Sequence, residues 1–242
     1  MRSSIVHQAS LRALVCLLLA AVLILPGASV AAQDQPDATA LIQQTSETLA
    51  KTQSLRFTLA VDGDTYIDDL NQMRLIKAKG SLQRPGKVEV EFQIELFGSG
   101  NISIKMITVD GKAYSTDLLT GKWGPAPEEF GYDPSLLFDT KGGLGPVVSK
   151  LTDTSVTGSE KIDGRDCWKL TGTADKASID FISAGTMIGN AFQATLWIDK
   201  ENRQLRRIVL AEPADNGKDR PATWTMELSD YDDSSIDIQA PS

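Results

Sequence analysis

The longest regular alternation of apolar and polar side chains runs from Lys87 to Phe97. Every second residue from Val88 to Leu96 is apolar, and those between them are charged or amide side chains. A helix would not keep apolar residues two positions apart over such a length. The pattern therefore predicts a β-strand with one face in an apolar interior and the other in water. One-sided strands of this kind are typical of antiparallel sheets.

Similar strands follow one another along most of the chain. Alternation predicts them at 55–61, 73–82, 101–109, 112–117, 155–162, 165–173, 195–199, 204–211 and 222–231. Asp110-Gly111 and Asp163-Gly164 are dipeptides that favour tight hairpin turns. Strands joined by short turns predict an antiparallel meander rather than alternating strands and helices.

Three segments depart from the strand pattern. A helix is predicted from Asp37, its cap, to Lys51, because apolar residues recur there at helical spacing. Residues 125–151 and 176–192 are too apolar for solvated loops, and the first permits only short helices, near 134–138 and 146–151. We expect both segments to cover the apolar face of the sheet.

Residues 1–32 have the pattern of an export signal. Two arginines precede an apolar run at 13–25, and small residues follow it up to Ala32. The run is short for a membrane span, which needs roughly 17–25 residues. We expect cleavage near Ala32 and a single exported domain, residues 33–242, in the cell envelope or secreted. An uncleaved signal that anchors the protein is the alternative.

Beyond the signal the chain contains no histidine and one cysteine, Cys167, because His7 and Cys16 both lie in the signal. This composition excludes histidine-based triads and the usual zinc sites. Cys167 lies in a strand pattern and is predicted to be a buried thiol. The signal removes two of 24 basic residues and none of 32 acidic ones, which leaves a net charge of −10. That charge opposes nucleic-acid binding. We expect no enzymatic activity, cofactor or metal.

Two acidic clusters are the remaining candidates for chemistry. Glu128 and Glu129 could be the paired carboxylates of a glycan hydrolase. Asp230, Asp232 and Asp233 could act similarly or hold a hard cation, although their spacing does not match a calcium loop. The simpler interpretation of the first cluster is a solvated loop. The simpler interpretation of the second cluster is the end of a strand.

Several segments in a fixed order resemble a known family. They are VDGKAY at 109–114 with Trp123 shortly after, IDGRDCWKLTG at 162–172, LWIDKE at 196–201 running into LRRI, and LSDY at 228–231 with Ala240-Pro241. Behind a signal and one amphipathic helix, they resemble the LppX/LprA/LprF/LprG lipoproteins of mycobacteria. The resemblance covers essentially the whole mature chain. Each segment alone consists mostly of residues that are common in β-hairpins. The specificity of the resemblance therefore comes from the order and spacing of the segments.

The resemblance implies an α+β fold and a function. The fold would be a strongly curved antiparallel sheet, a half-barrel like that of LolA and LolB, with helices over its concave face and an apolar cavity between. The function would be to carry acyl chains of a lipid or glycolipid across the cell envelope, as a monomer that meets membrane surfaces transiently. Family members are usually anchored through a cysteine at the cleavage site, which this chain lacks between Pro26 and Gln33. An envelope structural or sensory module with a filled core is the alternative.

The sequence also predicts which residues would line such a cavity. Its floor would come from the apolar faces of two central strands: Val90, Phe92, Ile94, Ile104 and Met106. Its roof or mouth would come from the covering segments: Phe130, Leu137, Phe138, Phe181, Ile182 and Met187. A shift of one residue in strand register would reverse the faces.

Overall fold

An antiparallel sheet of eleven strands is the framework of this computed structural model, which describes residues 35–241 apart from 69, 99 and 128–133. The strands are β1 (Ser54–Asp62), β2 (Met73–Gln83), β3 (Lys87–Leu96), β4 (Gly100–Val109), β5 (Lys112–Thr116), β6 (Trp123–Pro125), β7 (Thr152–Ile162), β8 (Arg165–Asp175), β9 (Ala191–Asp199), β10 (Leu205–Ala211) and β11 (Thr223–Ser229). The predicted signal, Glu128, Glu129 and Phe130 lie outside the described residues.

Two meanders make up the sheet, and β1 and β11 join them. The strand order is β6-β5-β4-β3-β2-β1-β11-β10-β9-β8-β7. Strands β1 to β6 run outwards to one edge, and β7 to β11 start at the other edge and return to the middle, where Phe57 lies opposite Leu228. Each edge strand pairs on one side only, so the sheet stays open. The chain between β6 and β7 must therefore cross from one edge to the other.

Helices cover one face of the sheet. They are α1 (Ala38–Lys51), a 3₁₀ helix (Pro134–Phe138), α2 (Leu144–Ser149) and α3 (Lys176–Ser183). The 3₁₀ helix and α2 lie in the chain segment that connects β6 to β7. This connection therefore also covers part of the apolar face of the sheet. None of the helices in the described part of the chain is long and apolar enough to span a membrane.

Local capping chemistry fixes two of these helices. The Asp37 carboxylate accepts a hydrogen bond from the Thr39 N–H at 2.9 Å, as predicted for the start of α1. The Asp175 carboxylate accepts from the Ser178 N–H at 3.0 Å and from its hydroxyl at 2.7 Å. No helix was predicted at α3, although the acidic cap Asp175 and the apolar residues Ile179 and Ile182, three positions apart, are sequence signals of a helix.

Strand register separates an apolar face from a polar one. Ala78 lies opposite Leu59 on β1 and Phe92 on β3, and all three side chains point towards the helices. The other face carries ion pairs, such as Lys79 with Glu91 at 3.2 Å. An open antiparallel half-barrel with helices on its apolar face confirms the predicted α+β fold. Most predicted strands are also confirmed within a few residues, whereas β6 was not predicted.

Candidate functional site

A cavity of about 770 Å³ lies between the apolar face of the sheet and its helical cover. Strands β1, β2, β3 and β11 form its floor through Phe57, Leu59, Leu75, Ala78, Val90, Phe92 and Trp224. Pro134 and Leu137 of the 3₁₀ helix and the chain after α3 lie above this floor. The volume is within the range of about 300–1,000 Å³ found for small-molecule sites.

Small residues on β2 create space in the middle of the floor. Ala78 projects only one carbon between the longer Leu59 and Phe92 side chains. A Cβ atom on Gly80 would come within 2.7 Å of the Phe57 ring, so the absence of a side chain there admits this ring. The Phe57 ring in turn contacts the Phe138 ring at a centroid distance of 5.5 Å, which sets the 3₁₀ helix against the sheet.

Three chain connections at one end of the sheet form the mouth of the cavity. They join β1 to β2, α3 to β9, and β10 to β11. Strand direction alternates in an antiparallel sheet, so these connections leave the same end. Their polar side chains at the mouth are Asp64, Tyr66, Asp68, Asn71, Thr186, Lys218 and Asp219. The site therefore combines an apolar floor with a polar entrance.

A buried carboxylate, Glu212, holds two of the mouth connections together. Its side chain is fully buried. One carboxylate oxygen accepts from the Ile188 N–H at 2.7 Å and from the Lys218 ammonium at 2.6 Å. The other accepts from the Asn216 amide and the Ala222 N–H, both at 2.6 Å. Such a fully hydrogen-bonded buried charge fixes geometry, because each lost partner would leave a desolvated group.

Lys218 extends this tie to the third connection. Its ammonium also donates to the backbone carbonyls of Asp64, at 2.8 Å, and Thr186, at 3.4 Å. Glu212 balances the charge of Lys218, and the Arg220 guanidinium lies 3.6 Å from the Asp64 carboxylate, whereas the mouth also carries the carboxylates of Asp68 and Asp219. An anionic headgroup would therefore meet repulsion at this entrance.

A second groove, of about 530 Å³, lies on the polar face of the sheet. Its walls include Trp123 and charged side chains that pair with one another or with neighbours, such as Lys79 with Glu91 and Glu227 with Arg207. Strand and turn residues line this groove, and no residue of the described helices does, so a ligand there would lie on the uncovered side of the sheet. We therefore take the cavity under the helices as the candidate site.

The structure places the nominated residues at different distances from this cavity. Val90, Phe92 and Leu137 line it. Six others are buried in the surrounding core: Ile94, Ile104, Met106, Phe138, Ile182 and Met187. Phe181 is 38% exposed on α3, with its ring against Gly142. Phe130 lies outside the described residues. Trp224 and the floor residues of β1 and β2 were not among the predicted cavity residues, although alternation marked Phe57 and Leu59 as apolar positions of a strand.

The other candidates for chemistry have structural partners. The Asp232 carboxylate accepts from the Gln53 N–H at 2.6 Å, and the Asp233 carboxylate from the Ser235 N–H at 2.8 Å. Asp230 lies 3.4 Å from the Arg56 guanidinium. Among the described residues, no three histidine, cysteine or carboxylate side chains are grouped so that they could hold a metal ion. Cys167 is buried, and burial raises the pKa of its thiol.

An open antiparallel half-barrel with helices over its apolar face is the fold class of the lipoprotein LppX and of LprF. The crystal structure of LprF from Mycobacterium bovis has this fold, with a TM-score of 0.66 and 20% identity over 86% of this chain and 98% of that one. LppX from Mycobacterium tuberculosis gives a TM-score of 0.58 and 18% identity over 84% and 98%.

The chain belongs to the LppX_LprAFG lipoprotein family, whose sequence model matches residues 37–238. It is also similar to the lipoarabinomannan carrier protein LprG of Mycolicibacterium hassiacum. The two are 28% identical over 234 residues, which cover 93% of this chain and 95% of LprG. The family predicted from the sequence segments is thus confirmed.

Proposed function

We propose that this protein is an exported, non-enzymatic carrier that holds the acyl chains of a lipid or glycolipid for transfer across the cell envelope. The observation that carries the proposal is the cavity of about 770 Å³ with its apolar floor and polar mouth. Burial contributes about 0.8 kcal/mol for each methylene. Ten buried methylenes therefore supply about 8 kcal/mol, equivalent to a micromolar dissociation constant before ordering costs.

The acyl chains lie along the sheet, and the headgroup stays at the mouth. Val90, Phe92 and Leu137 contact the chains directly, while the nominated core residues Ile94, Ile104, Met106, Phe138, Ile182 and Met187 hold these walls in place. Phe181, on α3, belongs to the cover. Binding by burial needs no metal and no acid–base group, which agrees with the composition of the mature chain.

The relatives support a carrier function of this kind. LprG is named for carrying lipoarabinomannan. The predicted signal would export this chain, and the protein would act as a monomer, either released or held by an uncleaved signal. The acidic mouth distinguishes the cargo, because a neutral headgroup would enter more readily than an anionic one.

Native mass spectrometry of protein purified from cells without detergent tests this proposal. We expect adducts that correspond to lipids, lost on denaturation, and saturable uptake of a fluorescent fatty acyl probe by the delipidated protein. Extraction would then identify the cargo. A protein that carries no lipid and also takes up no probe would contradict the proposal and favour an envelope module that acts through its surface.

A further inference from the structure

Exposed apolar side chains concentrate at the end of the sheet where the cavity opens. Six leucine, isoleucine and phenylalanine side chains in the described part of the chain are more than a third exposed: Leu70, Phe97, Leu118, Leu119, Phe181 and Ile188. All six lie in the connections β1–β2, β3–β4, β5–β6 and β8–β9, which share this end. Single exposed leucines are ordinary, so the feature that distinguishes these six side chains is their shared position at the mouth end.

The turns at the opposite end have a different character. They are 84–86, 110–111, 163–164 and 200–204, with the sequences Arg-Pro-Gly, Asp-Gly, Asp-Gly and Lys-Glu-Asn-Arg-Gln. These are short, polar hairpin turns. The two ends of the sheet therefore present opposite surfaces to their surroundings.

Three of the exposed side chains lie around the mouth itself. Ile188 lines the cavity and is 43% exposed. The Leu70 N–H donates to the carboxylate of Asp68, another mouth residue, at 3.2 Å. Phe97 is tied to the same connection, since its N–H donates to the Gln72 carbonyl at 2.9 Å. Ile188 thus lies at the entrance, and Leu70 and Phe97 belong to connections beside it without lining the cavity.

Phe97 is unfavourable at its position for two independent reasons. Its side chain is 66% exposed, and its φ of 52° is in the left-handed region, which favours glycine and asparagine over bulky residues. Neither core packing nor turn chemistry explains a phenylalanine here. A role outside the folded domain explains it, because an aromatic side chain adds apolar area to whatever this end contacts.

We propose that the mouth end of the sheet docks on a lipid bilayer without net negative charge, into which Leu70, Phe97 and Ile188 insert. Isolated apolar tips separated by carboxylates suit a bilayer interface better than a protein partner, which would need a continuous packed patch. The carboxylates of Asp68 and Asp219 would be repelled by anionic lipids, while that of Asp64 is paired with Arg220. Docking would place the cavity entrance against the bilayer that supplies or receives the cargo, and in this respect the inference rests on the proposed function.

Flotation with phosphatidylcholine vesicles tests the docking surface. Pro36–Ser242 forms one compact unit, so the chain from residue 33 is used, which removes the apolar run 13–25. We expect Leu70→Ser and Phe97→Asn each to weaken vesicle binding about tenfold, from the loss of one inserted side chain. Phe97→Leu keeps an apolar side chain and should retain most of the binding. Vesicles that contain phosphatidylglycerol should bind less well at low salt.

Two controls separate docking from folding and from cargo binding. Phe97→Asn should raise the thermal unfolding midpoint, because asparagine adopts the left-handed conformation more readily. Both variants should take up the fluorescent acyl probe from solution as the unmodified protein does. Vesicle binding unchanged in both variants, or stronger on anionic vesicles, would overturn the docking proposal and leave the carrier proposal intact. Failure of the unmodified protein to take up the probe would count against the carrier proposal alone.

Discussion

Replacement of Ala78 by leucine tests whether the space above the sheet is open to a ligand. Ala78 is 4% exposed and lies in the cavity floor between Leu59 and Phe92. Leucine has three more carbon atoms, which would project into the cavity from the centre of its floor. If the cavity holds acyl chains, these carbons occupy space that the chains would otherwise fill.

The expected loss of probe affinity follows from the number of ligand methylene groups that the leucine side chain displaces. Loss of burial for about three methylenes of the ligand costs about 2.4 kcal/mol. This corresponds to a dissociation constant for the acyl probe that is about 50-fold higher. The free energy of unfolding should stay equal or rise, because the added carbons are buried in existing space. In a closely packed core, the same substitution would instead lower it by about 1–3 kcal/mol.

Fluorescence titration with the acyl probe and urea unfolding measure the two quantities on the same sample. Ala60→Leu is the matched control, because Ala60 is an exposed residue of the neighbouring strand on the polar face. It should change neither the probe affinity nor the stability by more than a few tenths of a kcal/mol. An Ala78→Leu protein that loses more than about 1 kcal/mol of stability and binds the probe with unchanged affinity would refute the reasoning.

Three further predictions concern buried or capping groups. Glu212→Ala should lower the free energy of unfolding in urea by about 3–5 kcal/mol, since it leaves the Lys218 ammonium without its counter-charge. A Glu212→Leu, Lys218→Leu double variant should recover only part of this loss, because the N–H groups of Ile188 and Ala222 still lack their acceptor; equal losses in the two variants would contradict the tie. Asp175→Ala should cost about 1 kcal/mol at neutral pH, and Asp175→Asn much less. Hydrogen bonds from Ser178 hold the pKa of the Asp175 carboxyl below its usual value. The stability that Asp175 contributes is therefore complete above the usual pKa and is lost as the pH falls through the lowered pKa. A loss of stability in Asp175→Ala that persists in acid would show that the ionised carboxylate is not its cause. Cys167 should resist a thiol reagent until the protein unfolds, because burial raises its pKa; rapid modification of the native protein would show that the thiol is accessible.

Local patterns account for the parts of the fold that the sequence predicted. The strand expected at Lys87–Phe97 is β3, Lys87–Leu96, because strict alternation reports a one-sided strand without knowledge of its neighbours. The start of α1 followed from Asp37 for a similar reason, since a cap acts on the N–H groups of the next turn. Both signals lie within a few residues of the structure they specify.

Contacts distant in sequence account for what the sequence could not predict. The pairing of β1 with β11 joins residues more than 160 positions apart, such as Phe57 and Leu228, and no local pattern in either strand encodes the partner. Glu212 and Lys218 looked like ordinary loop charges, because their role arises only where three connections meet. The proposed docking surface was equally absent from local patterns, since the connections that carry Leu70 and Phe97 meet through a hydrogen bond from the Phe97 N–H to the Gln72 carbonyl.

The cavity itself depends on where the roof is supported. On one side the Phe138 ring rests on the Phe57 ring, and on the other the Glu212 carboxylate holds the backbone of Ile188. Ala78 is the smallest of the floor side chains that line the cavity. Alternation marks Ala78 as an inward position but carries no information about the height of the roof above it, so a filled core and a cavity share one sequence pattern. The Ala78→Leu substitution therefore tests at one small floor residue whether the space between the sheet and its cover is open to a ligand.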